Sequence, residues 1–348
     1  MSEPNATKGF GSDNHAGVHP AIMESLVHIN SGHSPSYGTD PLSHELYKLV
    51  EKLFGSTAEA HMVFNGTAAN VLAIKSLVSS HHSIVCTTDS HLNVDECGAP
   101  EANIGCKLIA VPTEHGKLTP AQVEETLIRK GDQHFSQVKA ISITQPTELG
   151  TLYSKEEMLA LSQCAKQHGL FFHVDGARFI YAAEALNATF KELTADVGVD
   201  ALSFGGTKNG LLFGEMVILF NDQAKKDFKY VRKQQMQLPS KMRFLAAQFL
   251  QLLGPEELWK QIAREGHSKA LELATRLKDI DGVEVVHPVQ ANSVFMKFPQ
   301  AWTKPLRDRH FFYIWDEKTW IARLMISFDT TLDDIESFIQ TINEVKKL

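Results

Sequence analysis

The sequence predicts an α/β fold, a large domain with a mostly parallel sheet followed by a smaller α+β C-terminal domain, and three observations predict it. Six short apolar runs, at 83–87, 107–111, 139–144, 170–174, 201–204 and 215–220, read as strands buried on both faces. Helical patterns separate several of them, and strand–helix alternation builds a layered sheet with crossovers. After about residue 222 the character changes to a basic helical stretch, a long amphipathic one, and strand-like runs at 283–286, 293–298 and 321–328. No proline- or glycine-rich linker marks a boundary, and the division is expected near residue 240, into 1–240 and 241–348. A chain of 348 residues is long enough for a sizeable core and more than one domain.

The elements follow in order. Leu46, Leu49, Val50 and Leu53 fall on one face of a helix over 42–54, with Asp40 as its N-cap and Pro41 at its first position. Gly55 is expected to end it in a left-handed conformation. A short apolar segment at 61–64 leads into Asn65-Gly66-Thr67-Ala68-Ala69-Asn70, which opens a helix carrying Val71, Leu72 and Ile74. Thr119-Pro120 starts another helix. Ser154 and Glu157 form a capping box for the next, and Gly169 closes it.

Composition excludes several functions. The net charge of −7 and the lack of a basic stripe argue against a nucleic-acid partner. The start, Met1-Ser2-Glu3-Pro4-Asn5, has no apolar signal core, and no apolar run approaches the ~18 residues of a membrane helix. Four cysteines form no CxxC pair, and Cys86 and Cys164 read as buried thiols, so a reduced, cytoplasmic setting is expected. No histidine spacing matches HExxH or another metal motif, so no metal is expected.

Chemistry concentrates at strand ends. Lys208 lies in Ser203-Phe204-Gly205-Gly206-Thr207-Lys208-Asn209-Gly210, where an apolar strand runs out. Asp175 lies in His173-Val174-Asp175-Gly176-Ala177-Arg178, where another does. A strand-end lysine and a strand-end carboxylate are what pyridoxal 5'-phosphate (PLP) requires: the amine forms a Schiff base with its aldehyde, and the carboxylate pairs with the ring nitrogen. The bland readings are a surface lysine in a turn and an aspartate that caps a helix or pairs with Arg178. A nucleotide phosphate loop would need GxxxxGK[ST], whereas Lys208 is flanked by Thr207 and Asn209. Gly66 and Thr67 open a helix whose free N–H groups suit a phosphate, or are an ordinary start capped by Asn65. His91, just past a strand end, can stack on a ring or move a proton; Glu96 lines the same cleft or faces solvent. Arg323, inside an apolar strand, needs a carboxylate, either a structural one or that of an amino-acid substrate.

Taken together with Ser12-Asp13-Asn14, Tyr37-Gly38-Thr39-Asp40-Pro41, Ser240-Lys241-Met242-Arg243 and Ala322-Arg323-Leu324, these motifs resemble the L-threonine aldolases, of the β-eliminating lyase group with the aspartate-aminotransferase-like PLP fold. The resemblance runs from about residue 10 to 331. It implies Lys208 as the Schiff-base lysine, Asp175 as partner of the ring nitrogen, Arg178 near the cofactor's phenolic oxygen or the substrate carboxylate, and Gly66 and Thr67 at the phosphate. It implies His91 stacked on the ring near the substrate hydroxyl, and Ser12 and Arg323 on the substrate carboxylate. Tyr37 and Arg243 are similar to residues that complete a neighbouring subunit's site, which implies a homodimer or homotetramer.

One departure stands out. Many relatives carry a second active-site histidine after the strand at 139–144, where this chain has Glu148. The reaction implied is cleavage of L-threonine, L-allo-threonine or a related β-hydroxy-α-amino acid to glycine and an aldehyde, with His91, directly or through water, taking the hydroxyl proton. The alternatives are β-elimination or transamination on the same fold, and a scaffold without cofactor chemistry.

Overall fold

Seven strands form the larger sheet of the computed structural model, which describes residues 8–347; the expectation about a signal segment at residues 1–7 lies outside them. The strands are β1 (Glu59–Val63), β2 (His82–Thr87), β3 (Lys107–Val111), β4 (Gln137–Thr144), β5 (Phe171–Gly176), β6 (Ala201–Gly205) and β7 (Glu215–Leu219), in the order β1-β7-β6-β5-β4-β2-β3. The pairs β2–β3, β2–β4, β4–β5 and β5–β6 are parallel. β7 is antiparallel to both β6 and β1. The link 206–214 between β6 and β7 is too short for a parallel crossover, which takes a dozen or more residues, so the chain must turn back.

The sheet is buried on both faces because its strands alternate apolar residues to two cores. Phe172, Val174, Leu202, Phe204, Met216 and Ile218 enter a core with Phe54, Phe179 and Phe249. Ala201, Val217 and Leu219 enter another with helix Gly66–Lys75. Each such fully buried large side chain stabilises the fold by roughly 1.5–3 kcal/mol relative to exposure.

Caps set the helices in register with these strands. Asp40 accepts from Ser43 N at 2.9 Å and starts helix Pro41–Phe54. Gly55 ends it at φ 109, ψ 155, which is positive φ but not the left-handed helical region expected. Ser154 and Glu157 form a reciprocal capping box on Lys155–His168, and Gly169 closes that helix at φ 69, ψ 32. The long helical region after residue 240 is two helices, Arg243–Leu253 and Leu258–Lys278, parted at Gly254-Pro255.

A second sheet, entirely antiparallel, has the order β10-β11-β9-β8, with β8 at Glu284–Val285, β9 at Ser293–Lys297, β10 at Tyr313–Asp316 and β11 at Ile321–Met325. Strand β10 has no counterpart in the sequence reading. Its residues are half-buried or exposed and carry no apolar alternation. Met242, Leu245 and Ile262 belong to the first core, whereas Ala270, Leu273 and Leu277 join Val294, Leu324 and Phe338 in the second. Helix Leu258–Lys278 thus packs its first turns in one core and its last turns in the other. Phe10, from the other end of the chain, also packs in the second core. Its N–H donates to Phe311 O at 2.7 Å and its carbonyl accepts from Met325 N at 2.8 Å.

Among the described residues, no helix is long and apolar enough to cross a membrane. One group of metal-ligating side chains does converge there. Donor atoms of Glu124, Cys164 and His168 lie within 4.8 Å of one another, a juxtaposition of two helices that no linear spacing displays.

Candidate active site

Strands β2, β4, β5 and β6 run parallel, so their carboxyl ends share one edge of the sheet, where ligands of such sheets gather. Four residues emerge there: His91 after β2, Glu148 after β4, Asp175 in β5 and Lys208 after β6. Lys208 sits in the 3-10 turn Thr207–Asn209. The glycines before it serve packing rather than phosphate binding. A Cβ on Gly205 would lie 2.0 Å from Ala177 O, and one on Gly206 would lie 2.4 Å from Gly214 O. Side chains there would push the turn off the end of β5. Glu215 holds the turn by accepting from Gly206 N at 2.6 Å. Burial raises the Glu215 pKa to about 7, although this bond and Thr207 oppose the shift.

Asp175 is 4% exposed. Its Oδ2 accepts from Asn70 Nδ2 at 2.8 Å and its Oδ1 from Ala177 N at 3.1 Å. The Asp175–Arg178 pair considered from sequence does not form. Arg178 instead grips Asp13 in bidentate fashion, Nε to Oδ2 at 2.6 Å and Nη2 to Oδ1 at 2.8 Å. Asp13 is buried, and burial alone would raise its pKa. The Arg178 guanidinium outweighs that, so Asp13 titrates below the usual carboxylate range. Breaking such a buried pair from one side costs about 3–5 kcal/mol.

The Lys208 amine forms no hydrogen bond or ion pair among the described residues, and its pKa is lowered by burial and then by the Arg178 charge. His91 Nδ1 lies 2.9 Å from Glu96 Oε1, and Asn70 Nδ2 donates to the same oxygen at 2.8 Å. Glu96 is therefore buried and bonded rather than solvated. Burial raises the Glu96 pKa. Burial would lower that of His91, but the Glu96 bond and the Asp175 field override it and raise it.

Arg323 in β11 stacks on Trp315, its guanidinium carbon 4.7 Å from the ring centroid. Its Nε is buried without a partner, and it forms no ion pair among the described residues. Burial, then the Arg178 charge, lowers its pKa to about 10. It opens on a cavity of about 460 Å³ also lined by Asp89, Asp95 and Tyr313. Ser12 Oγ accepts from Asn14 N at 3.1 Å, which caps the turn Asp13–His15 and leaves its hydroxyl proton free to donate.

Hydrogen bonds join Asp175, Asn70, Glu96 and His91, and pair Arg178 with Asp13, the neighbour of Ser12, while Lys208 and Arg323 feel the charges of Arg178 and Asp13 without a bond to either. Gly66 and Thr67 are joined through Asn70, one turn along their helix. Tyr37 and Arg243 stand apart from this network within the chain. Tyr37 N donates to Ser240 O at 3.0 Å, and Arg243 bonds the Ser31 and Gly32 carbonyls at 3.3 Å. Sequence reading did not single out Asn70 or Asp13 for a role. The signal for Asn70 was an amide among the apolar residues of one helix; for Asp13, an acid two residues after the apolar Gly9–Gly11 segment, with an unpaired arginine elsewhere.

The sequence profile of the beta-eliminating lyases matches residues 9–300. The chain is 39% identical over 344 residues to a low specificity L-threonine aldolase of Pseudomonas aeruginosa, covering 97% of this chain and 98% of that one. It is 41% identical over 326 residues to a low specificity L-threonine aldolase of a Pseudomonas species, covering 92% and 93%. Its fold is similar to that of a threonine aldolase of Leishmania major, with a TM-score of 0.91, 27% identity, and coverage of 97% and 99%. The chain belongs to the β-eliminating lyase family, in its L-threonine aldolase branch.

Proposed function

We propose that this chain is a PLP-dependent aldehyde-lyase that cleaves L-threonine, L-allo-threonine and related β-hydroxy-α-amino acids to glycine and an aldehyde. The observation that carries the reading is a lysine and an aspartate on adjacent strand ends, with a buried arginine that has no acid partner among the described residues. The residues fit PLP. No heavy atom lies within 4 Å of where a Gly66 Cβ would stand, so the start of helix Gly66–Lys75 is open to a phosphate. Asp175 is a buried carboxylate held by two donors, suited to a ring nitrogen. The Lys208 amine is unpaired, and its lowered pKa favours the neutral, nucleophilic form.

When bound, PLP accepts the electron pair of a bond broken at the amino acid's Cα. Arg323 grips the substrate carboxylate with its planar fork, and the Ser12 hydroxyl donates to it. Holding the carboxylate fixes the Cα–Cβ bond in the orientation that breaks. Asp13 keeps Arg178 rigid and limits its competition for that carboxylate. His91, its ring anchored on Glu96, would cover the cofactor ring on the side of the substrate hydroxyl. Once the bond to Cβ has broken, Cα needs one proton to become glycine, and the Lys208 amine would supply it.

With PLP added, L-threonine, L-allo-threonine and L-phenylserine should each give aldehyde and glycine in equal amounts. Pyruvate and ammonia as products would instead establish β-elimination, and transfer of the amino group would establish transamination.

The working unit in this reading is a homo-oligomer in a cytoplasmic setting. Phe64 and Phe213 stack at 5.8 Å yet both stay exposed, next to exposed Leu212 and, through the Phe64–Gln237 hydrogen bond, Met236. Such a patch marks a protein contact, and Tyr37 and Arg243 then serve a neighbouring site. Sedimentation of the wild-type protein should give a dimer or larger, and Phe213→Asp should shift it toward monomer. A wild-type monomer would end this part of the reading.

A further inference from the structure

Glu148 occupies a singular place at the sheet edge. It follows β4, between β2, which leads to His91, and β5, which carries Asp175. Its Oε1 is fully used, accepting from Thr144 Oγ1 at 2.6 Å and from the His91 backbone N–H at 2.8 Å. Its Oε2 is buried and has no partner among the described residues. A buried carboxylate oxygen without a donor is costly, and its natural remedy is a donor brought by a ligand. The Oε1 bonds fix the carboxyl group against His91, so the free oxygen stays at the edge where the substrate hydroxyl is expected. His91 is a weaker candidate for accepting that proton, because its Nδ1 rests on the Glu96 carboxylate and the charged imidazolium is favoured.

Resting on the aldehyde-lyase reading above, we propose that Glu148 Oε2 is the general base for the β-hydroxyl, with His91 limited to covering and orienting. The hydroxyl O–H bond breaks and its proton moves to Oε2. The oxygen electron pair forms the aldehyde C=O, the Cα–Cβ bond breaks, and its electron pair remains on the Cα side. The proton leaves to solvent before the next turnover. Burial, opposed by the Thr144 bond and reinforced by Asp175, raises the Glu148 pKa to about 7, so the carboxylate and the acid are both accessible near neutrality.

The ionised form is the active one, so turnover rises with pH through about 7 and then levels. The groups facing Glu148 are Asp175 on β5, Cys86 on β2, Tyr153 beyond its own loop, and His91 through its backbone. Burial raises Cys86 to about 11 and Tyr153 higher, so neither titrates near neutrality. The Glu96 bond and the Asp175 charge raise the His91 pKa, and its ring partner Glu96 is untouched by a change at Glu148.

The test is Glu148→Gln, which keeps size and an oxygen for Thr144. With PLP and L-threonine, kcat should fall about 10²–10⁴-fold and the rising limb near pH 7 should vanish. Glycine affinity, which needs no hydroxyl, should stay within about twofold. Infrared titration of the protein without cofactor should show, in the wild-type-minus-variant difference, a carboxylic-acid band lost near pH 7; Glu215, with a similar pKa, contributes equally to both and cancels. Formate should partly restore turnover to Glu148→Ala. Wild-type turnover and pH profile in Glu148→Gln would overturn the proposal, as would an unchanged infrared difference. If wild type itself releases no aldehyde, the aldehyde-lyase reading fails, and the infrared titration still decides whether Glu148 titrates.

Discussion

Lys208→Ala should release aldehyde from L-threonine roughly 10⁴-fold more slowly than wild type, a loss of about 5.4 kcal/mol of transition-state stabilisation. It should also lack the absorbance of lysine-linked PLP. The same change should leave thermal stability unchanged or slightly higher. The Lys208 amine is buried near Arg178 with no hydrogen-bond partner, and its pKa is lowered, so its charge destabilises the fold wherever it is protonated. Loss of activity without loss of stability separates a functional lysine from a structural one. Wild-type turnover with wild-type absorbance would remove Lys208 from the mechanism.

Arg323→Ala should lower kcat/KM for L-threonine by about 10²–10³-fold, or about 2.7–4.1 kcal/mol, mainly through a higher KM. Truncation removes the donor that a substrate carboxylate would otherwise meet in a buried setting. Arg323→Lys should recover little, because an ammonium lacks the planar fork and cannot stack on Trp315 in the same way. A KM equal to wild type in Arg323→Ala would show that the carboxylate is held elsewhere. In that case a fall in melting temperature would mark the stacking on Trp315 as structural.

The strands nearest the site are the ones most legible in the sequence. Apolar runs at 201–204 and 215–220 became β6 and β7 almost unchanged, because strands buried along their whole length read as near-continuous apolar runs. The caps at Asp40 and Ser154 were legible for a related reason, since each is a local rule satisfied by residues three apart. Strand β10 was not, because its half-exposed Tyr313 and Trp315 satisfy no period. The reversal at β7 was readable in principle from the short link before it. Site chemistry on single strand ends, such as Asp175 and Lys208, could be read locally. The partners could not: Arg178 with Asp13 and Asn70 with Asp175 are tertiary choices that sequence spacing leaves open. Glu96 shows the limit most clearly, since an acid in a polar loop is normally solvated and this one is 4% exposed.

The segment from Phe10 to Asp13 ties distant parts of the chain together. Phe10 bonds residues 311 and 325, and three residues later Asp13 clamps Arg178. Seen along the time axis of synthesis, residues 10–13 are made some three hundred positions before the partners of Phe10. The larger sheet can pair while the chain is still being extended, but the strap cannot lock until residue 325 has emerged, across a loop of some three hundred residues. Closing so long a loop costs little more entropy than closing a moderate one, but it puts the contact late in order. The strap that carries Asp13 to Arg178 thus gains its anchor late in folding, after the larger sheet that carries Asp175 and Lys208.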